Sequence, residues 1–532
     1  MQAKRVLIVG GGSAGWSAAA YLNAALNGTG RQTAEISLIE SPDVPRIGVG
    51  EATIPNINHI LRVIGIDEND FLRAVDGTFK QSIRYVDWLH GKGEHYHHPF
   101  SRNRMAPLEI AGQLWLQSDR SIPYMETISA QPIICELNLA PKMLTDWDFG
   151  APLTYAYHMN ALKFADYLRD HSTTRGVTHH VDHVTDIDVA ENGDIANIKT
   201  KSGQVLEADL FIDCTGFASI LIEKKLGVAF IDCSQWLLCD QAMTMHVPHE
   251  HHYPGYVRPY TTATALSNGW VWEIPMQTTR SLGYVHSSSY IDEDAAEAEL
   301  RSFEGSHSDE LSTNLVKFRV GHRAAPWVGN CISIGLAAGF IEPLESTGLY
   351  LSHMAAVMLA EYFPHAGNNE AMAFRFNRIM TNRFYEILDF INMHYCLTKR
   401  TDTEFWREVQ KRERITDRLQ AKFDFWKLKP PSVTDFEDQY FPGQSTTASI
   451  FTDHPGDHRS PIDTAGLWNH SSYEAILYGM DAMREQSEAW YGTDRPRTAI
   501  MRNIVERLKV VQQKLPPHDE WLRRMAGMKD YR

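Results

Sequence analysis

Cysteine is scarce in this chain and scattered: Cys135, Cys214, Cys233, Cys239, Cys331 and Cys396 form no C-x-x-C pair. That spacing argues against a disulfide framework and against a thiolate metal site, and it leaves reduced core residues. A basic excess is missing too. Lys and Arg total 51 against 66 Asp and Glu, a formal net charge of -15, and no basic tail or stripe offers a nucleic acid a footing. No run of about 18 apolar residues occurs, so no membrane span is expected. An apolar strand begins at Val6, which leaves no room for a secretory leader and predicts a cytoplasmic protein. Internal repeats and low-complexity tracts are absent. What remains is 532 residues, 43% hydrophobic and 22% charged. That is the balance of a soluble globular enzyme with two or more domains, or one large domain carrying insertions.

The first positive signal is N-terminal. Val6-Leu7-Ile8-Val9 runs straight into Gly10-Gly11-Gly12-Ser13-Ala14-Gly15, a G-x-G-x-x-G, and an alanine-rich helix follows from Trp16. A second strand, Ala34 to Ile39, ends at Glu40. Gly10, Gly12 and Gly15 permit the tight turn and the close approach of backbone to a pyrophosphate. Ser13 and Ala14 open the helix whose N-terminus receives the phosphates. Glu40 stands where an acid accepts a hydrogen bond from the adenosine ribose. A lone G-x-G-x-x-G can be an ordinary turn; strand, helix and distal acid together point to a dinucleotide.

Glycine-rich junctions recur downstream. Arg46 to Pro55 contains Gly48, Gly50, Glu51 and Ala52 and reads as a loop that lies against the cofactor, with a plain connector as the alternative. Leu206 to Gly216 carries an acid-then-glycine ending, Asp213-Cys214-Thr215-Gly216. The strand from Cys331 to Gly335 leads through Ala337-Ala338-Gly339 towards a helix expected near Ser346. Junctions spread over about 340 residues indicate FAD, because an NAD domain closes within roughly 150. The expected fold is therefore α/β: an FAD-binding, Rossmann-like (flavoprotein monooxygenase-like) domain over 1–395, with a substrate region inserted near 80–160. Residues 396–532 read as a mostly helical substrate-side region, from apolar spacing near 3.6 at Glu404–Val409 and Thr498–Leu508. Residues 90–130, rich in His, Pro and aromatic side chains without a period, read as an insertion carrying a site rather than as a core element.

Two segments are more specific. Gly269-Trp270-Val271-Trp272-Glu273-Ile274-Pro275 alternates as a strand does and, on spacing alone, packs two large rings on one face. Gly339-Phe340-Ile341-Glu342-Pro343-Leu344-Glu345-Ser346-Thr347-Gly348 sets an acid directly before Ser-Thr-Gly. Trp-x-Trp-x-Ile-Pro resembles the signature of the flavin-dependent halogenases first described as tryptophan halogenases. Phe340 to Gly348 resembles that family's segment linking the flavin site to the substrate site. Phe79-Lys80, followed by Ile83 and Trp88, is similar to its lysine motif. With the fingerprint, four separated motifs stand in the family's order, and the resemblance extends through Lys399 to Trp406.

The resemblance implies that reduced FAD, O2 and chloride or bromide yield hypohalous acid. That oxidant would cross an internal tunnel to an indole-like or other electron-rich aromatic. Thr347 and Gly348 would hold the halide on backbone N–H groups at a helix N-terminus, with Ser346 and Gly335 against the flavin. Lys80 would hold or react with the oxidant, although a lysine is otherwise usually a solvated surface charge. Glu345 would stabilise the cationic intermediate and take its proton. Outside the motif Glu345 reads as a helix N-terminal acid, and Glu342 is its rival. His98-Pro99-Phe100 resembles the family's His-x-Phe element, whose rings, here His98 and Phe100, stack on the substrate. Trp468 resembles the aromatic on the pocket's other side. His95, His97 and His98 could together suggest a metal, but no carboxylate or cysteine spacing accompanies them. No NADH domain is evident, so the implied partner is a separate flavin reductase; monomer and homodimer both stay open.

One departure bears on substrate. Family members that bind free tryptophan carry paired tyrosines followed by a glutamate, whereas this chain has Tyr440-Phe441-Pro442-Gly443-Gln444-Ser445-Thr446-Thr447. Free tryptophan is therefore not the expected native substrate. The alternative activity is a flavin-dependent aromatic monooxygenase (hydroxylase), which needs neither lysine nor tunnel; Trp-x-Trp-x-Ile-Pro argues against it. A third reading is a flavin-binding scaffold without catalysis, and Lys80, Glu345 and the Ser-Thr-Gly segment argue against that.

Overall fold

The computed structural model describes residues 4–28, 30, 32–46, 48–101, 111–364, 369–431, 435, 467–483 and 495–531. Contacts divide the chain into two units of three stretches each. Met1–Asp76, Met159–Ser234 and Phe318–Tyr385 make the first; Gly77–His158, Gln235–Lys317 and Glu386–Arg532 make the second. A single boundary near 395 does not match this division. Strand pairing explains why: Ser82–Val86 pairs in parallel with Thr261–Ala265, which draws 77–158 and 235–317 into one sheet.

The first unit holds a six-stranded sheet in the order Trp327–Val328, Cys331–Ser333, Leu210–Asp213, Lys4–Val9, Ala34–Glu40, Thr178–Val181. All neighbours are parallel except the short antiparallel edge pair at Trp327–Val328. Lys4–Val9 has Ala34–Glu40 on one side and Leu210–Asp213 on the other. Strand order therefore reverses at its C-terminal end, where doubly wound sheets bind ligands. The central strands read as apolar runs, residues 6–9 and 210–212, because both their faces are covered. On one face Leu7, Val9, Phe211 and Cys331 pack with Leu221 and Ile222. The helix Ser13–Asn27 packs against Ala161–Thr173 and against Gly348–Glu361. Its Ala18, Ala19 and Ala20 are buried, and their small side chains let the neighbouring helices approach.

The second unit is built on a seven-stranded sheet: Thr313–Lys317, Gln241–Pro248, Thr279–His286, Gly269–Pro275, Thr261–Ala265, Ser82–Val86, His95–Pro99. The segment 90–130, expected to carry no core element, contributes the last of these strands. His95–Pro99 alternates no apolar residues, so its pairing with Ser82–Val86 left no periodic trace in the sequence. Val271 packs on one face with Met243, Met245, Leu282, Ala296 and Leu300. Trp270 and Trp272 occupy the opposite pleat, with ring centroids 6.2 Å apart. Trp272 stands opposite Gly283 in the antiparallel pair, and its ring lies where a Cβ on Gly283 would be. Beyond residue 400 the described segments are helical: Glu404–Glu408, Asp417–Trp426, His470–Gly479, Arg495–Lys514 and His518–Trp521.

Candidate functional site

The fingerprint residues of the first unit form a cradle. Gly10 has φ +115°, a conformation L side chains rarely adopt. A Cβ on Gly15 would collide with the Gly10 carbonyl, so both glycines are required for the turn itself. Gly12 differs: it caps the helix, and among the described residues no heavy atom beyond its own chain neighbours lies within 4 Å of where its Cβ would sit. The first turn carries no acidic residue. Open space above backbone N–H groups, with no carboxylate in the helix's first turn, fits the pyrophosphate of a flavin dinucleotide. Ser13 anchors the turn by donating its hydroxyl to the Ala161 carbonyl at 3.2 Å. The Glu40 carboxylate overlies Gly11, and its Oε1 lies 2.9 Å from His179 Nε2. Glu40 therefore ends its strand beside the glycine turn, as the sequence predicts.

Gly48, Gly50, Glu51 and Ala52 lie in the same unit, with Gly50–Ala52 a short strand rather than pure loop. Burial pushes the Glu51 carboxyl up to about 7. The strand expected from Leu206 to Gly216 is divided: Leu210–Asp213 lies in the parallel sheet, and Leu206 belongs to the separate strand Val205–Leu206. Asp213 is buried and structural: its carboxylate accepts from Thr215 N and Oγ1 and from the amides of Leu221 and Ile222.

Gly335 meets the fingerprint directly, because a Cβ there would lie 2.7 Å from that of Ala14. From it the chain runs to a short 3-10 turn, Pro343–Glu345, in which Glu345 is buried. The helix expected near Ser346 starts two residues later, at Gly348. Ser346 takes the left-handed conformation, φ +59°, which turns the chain into the helix and delays its start. Thr347 precedes the helix Gly348–Glu361, is fully buried, and its Oγ1 has no hydrogen-bond partner among the described residues. No heavy atom lies within 4 Å of a Cβ placed on Gly348. A helix N-terminus without a side-chain cap, a buried hydroxyl and open space suit a small anion. Glu342 is fully buried as well.

In the second unit Lys80 ends the strand Thr78–Lys80 and is fully buried. Its Nζ lies 5.3 Å from the centroid of the Phe100 ring. Neighbours hold the strand from both sides. Phe79 packs edge-on against Tyr155 and Trp521, and its amide donates to His518 Nε2 at 3.2 Å. Thr78 donates to the Pro275 carbonyl at 2.6 Å. His158 bridges Thr78 Oγ1 (3.0 Å) and Thr261 Oγ1 (2.9 Å). Burial, then the positive charge of Lys80, hold His158 well below the ordinary histidine range. A neutral imidazole therefore stands near the lysine.

The aromatic residues of this unit also gather, around a residue the sequence did not single out. His98 is buried on His95–Pro99, with its ring 5.8 Å from Phe390. Trp468 stacks on the same Phe390, 4.1 Å between centroids and 9° between planes. Phe390 belongs to Glu370–Cys396, a helix in which the buried polar residues Glu386, Asp389, Asn392 and His394 interrupt the apolar ones, so no clean hydrophobic stripe marked it. His97 turns away from any metal role: its ring bridges Ser82 Oγ and Glu136. Among the described residues no group of three or more His, Cys, Asp or Glu could hold a metal ion. The segment Tyr440–Thr447 lies outside the described residues. No helix among them is long and apolar enough to cross a membrane.

Comparison with known proteins agrees with this arrangement. Residues 5–493 match the family model described as tryptophan halogenase. Tryptophan 7-halogenase RebH of Lentzea aerocolonigenes is 34% identical across 98% of this chain and 99% of its own. A tryptophan halogenase from Shewanella frigidimarina superposes with a TM-score of 0.88 at 32% identity, covering 99% of this chain and 98% of its own. A tryptophan C-6 flavin-dependent halogenase (chlorinase) from taromycin biosynthesis gives 0.87 at 31%, over 98% and 99%. The α/β architecture with its helical C-terminal region is the one these structures share, and the chain belongs to the tryptophan halogenase family of flavin-dependent enzymes.

Proposed function

We propose that the protein halogenates a small, electron-rich aromatic of the indole class, using Lys80 and Glu345. The observation that carries this reading is the burial of Lys80. A lysine with no exposed surface, its ammonium over the Phe100 ring, is not a solvated surface charge. When bound, reduced FAD supplies with O2 the oxidising power that turns chloride or bromide into hypohalous acid.

The chain's residues do the rest. Gly10, Gly12, Ser13, Ala14, Gly15 and Glu40 hold the dinucleotide, with Gly48, Gly50, Glu51, Ala52, Gly335 and Ser346 completing its surroundings. Thr347 and Gly348 hold the halide at the helix N-terminus. Lys80 donates a hydrogen bond to the oxygen of hypohalous acid. As the oxygen–halogen bond breaks and the carbon–halogen bond forms, that oxygen takes a proton from the Lys80 ammonium and leaves as water, and the proton that Glu345 collects from the ring restores the ammonium by exchange through solvent. Glu345 takes the proton lost from the ring carbon. His98, Phe100 and Trp468 hold the aromatic by stacking.

A separate flavin reductase delivers the reduced cofactor, since no NADH domain is evident in the sequence. The relatives named above act on tryptophan. The sequence Tyr440 to Thr447 lacks the paired tyrosines and glutamate expected of family members that bind free tryptophan, which favours an indole without the amino-acid group. We place the enzyme in the cytoplasm.

The test is mass spectrometry of indole incubated with the protein, FAD, a flavin reductase, NADH and bromide. A bromine isotope doublet in the product is expected. An added oxygen atom instead would establish the hydroxylase, and no product at all would leave a scaffold.

A further inference from the structure

We propose that Glu386 and Phe390, one turn apart on the helix Glu370–Cys396, are positioning residues that fix where an aromatic substrate lies, by gripping Trp468 and bracing His98. The inference rests on the proposed role of Trp468 and His98 in holding the ring.

The grip has two points. The Trp468 backbone N–H donates to Glu386 Oε1 at 3.2 Å, and Glu386 is 2% exposed. The Trp468 indole lies flat on Phe390, 4.1 Å between centroids and 9° from parallel. Positions 386 and 390 share one helix face, so a single rigid element sets both the backbone and the ring plane of Trp468. Phe390 is itself immobilised, being fully buried, with Tyr473 edge-on at 4.9 Å and 90°. His394, a further turn along, stands against it at 5.4 Å. His98 meets Phe390 at 5.8 Å and 42°. Both substrate-facing rings thus take their placement from one phenylalanine.

Two consequences follow. One face of Trp468 is already occupied, so a substrate can stack only on the other. Trp468 also cannot swing its ring to admit a larger substrate without losing the stack on Phe390, nor shift its backbone without losing the bond to Glu386. Pocket shape is therefore written on the helix Glu370–Cys396 as much as on the residues that touch substrate.

The test uses the full chain and indole as probe. Indole affinity is measured by calorimetry without flavin, and bromoindole isomers are counted in the complete reaction. Phe390→Leu keeps an apolar side chain and removes the ring. We expect indole affinity to fall at least tenfold and the isomer distribution to broaden, with FAD affinity unchanged. Glu386→Ala should act in the same direction, and Glu386→Gln, which keeps the acceptor, should recover most of the affinity. Should Phe390→Leu melt too early to assay, the Glu386 pair gives the answer alone. Wild-type affinity and isomer ratio in Phe390→Leu or in Glu386→Ala would overturn the proposal, as would Glu386→Gln behaving like Glu386→Ala. If the wild type binds indole through these residues yet brominates nothing, the positioning holds and the halogenase reading fails.

Discussion

Thr78 Oγ1 and His158 Nδ1 lie 3.0 Å apart, and this bond ties the strand that ends in Lys80 to its antiparallel neighbour. Since Thr78 spends its proton on the Pro275 carbonyl, it accepts from His158, whose other nitrogen then accepts from Thr261. That pattern requires a neutral imidazole, in agreement with the direction in which burial and Lys80 push it. The lysine thus sits at the end of a strand held by the Thr78 hydroxyl, the Phe79 amide and the antiparallel pairing with residues 156–158.

Lys80→Ala should abolish halogenation and leave FAD affinity and flavin oxidation within about twofold. Lys80 belongs to the second unit, whereas the fingerprint glycines belong to the first. Product formation and flavin titration are measured on the same preparation. Bromination at wild-type rate would remove Lys80 from its role.

Glu345→Gln should slow the aromatic step by roughly 10²–10⁴-fold, the range for losing a positioned acid–base group. The buried amide keeps the shape of the 3-10 turn but cannot take a proton. Single-turnover product formation with bound reduced flavin is the measurement. A loss of FAD affinity of similar size would make Glu345 structural.

Gly348→Val should raise the half-saturating bromide concentration at least tenfold before it weakens flavin. The site has room for the side chain, so the helix is expected to form, with the valine filling the anion's place. Steady-state rates against bromide, alongside FAD titration, separate the two effects.

In competition, indole should be halogenated faster than free tryptophan. Burying an unpaired ammonium costs several kcal/mol, roughly, which a stacked ring does not recover. Both substrates in one tube, quantified by mass, decide the matter. A preference for tryptophan would reveal a carboxylate clamp, and the stretch between Pro430 and Met480 is where it would be sought.

Stability should fall as pH drops from 7 to 5, with His353 contributing. Burial lowers this imidazole from the ordinary range to about 4, and its Nε2 has no hydrogen-bond partner among the described residues. Above its unfolded pKa neither state is protonated and nothing is lost. Below it, the unfolded chain takes up a proton that the folded one refuses, so the loss grows until the folded pKa is reached. Between pH 7 and pH 5 that linkage amounts to about 2 kcal/mol for His353 alone. Urea midpoints at both pH values should converge in His353→Leu relative to the wild type; an unchanged gap would mean His353 is protonated in the fold.

Residues whose role is local were legible in the sequence. Gly10, Gly12 and Gly15 announce a turn, and Trp270 and Trp272 announce a pleat, because the rule for each is carried by neighbouring positions. The left-handed turn at Ser346 was hidden, since serine seldom adopts it and the segment otherwise reads as a helix start. His95–Pro99 was hidden because its place in a sheet comes from a partner strand and not from its own period. Phe390 was hidden for a different reason: it lies in a helix segment where buried polar residues (Glu386, Asp389, Asn392, His394) interrupt the apolar ones, so no one phenylalanine stands out until Trp468, 78 positions on, is folded against it.

Trp272 covering Gly283 makes the two positions a single unit of inheritance. Any side chain at 283 would have to displace the indole, and any smaller ring at 272 would leave bare backbone in the middle of a sheet. The tryptophan motif that is six consecutive residues on paper has a seventh member in space, and that member is the one that carries no side chain.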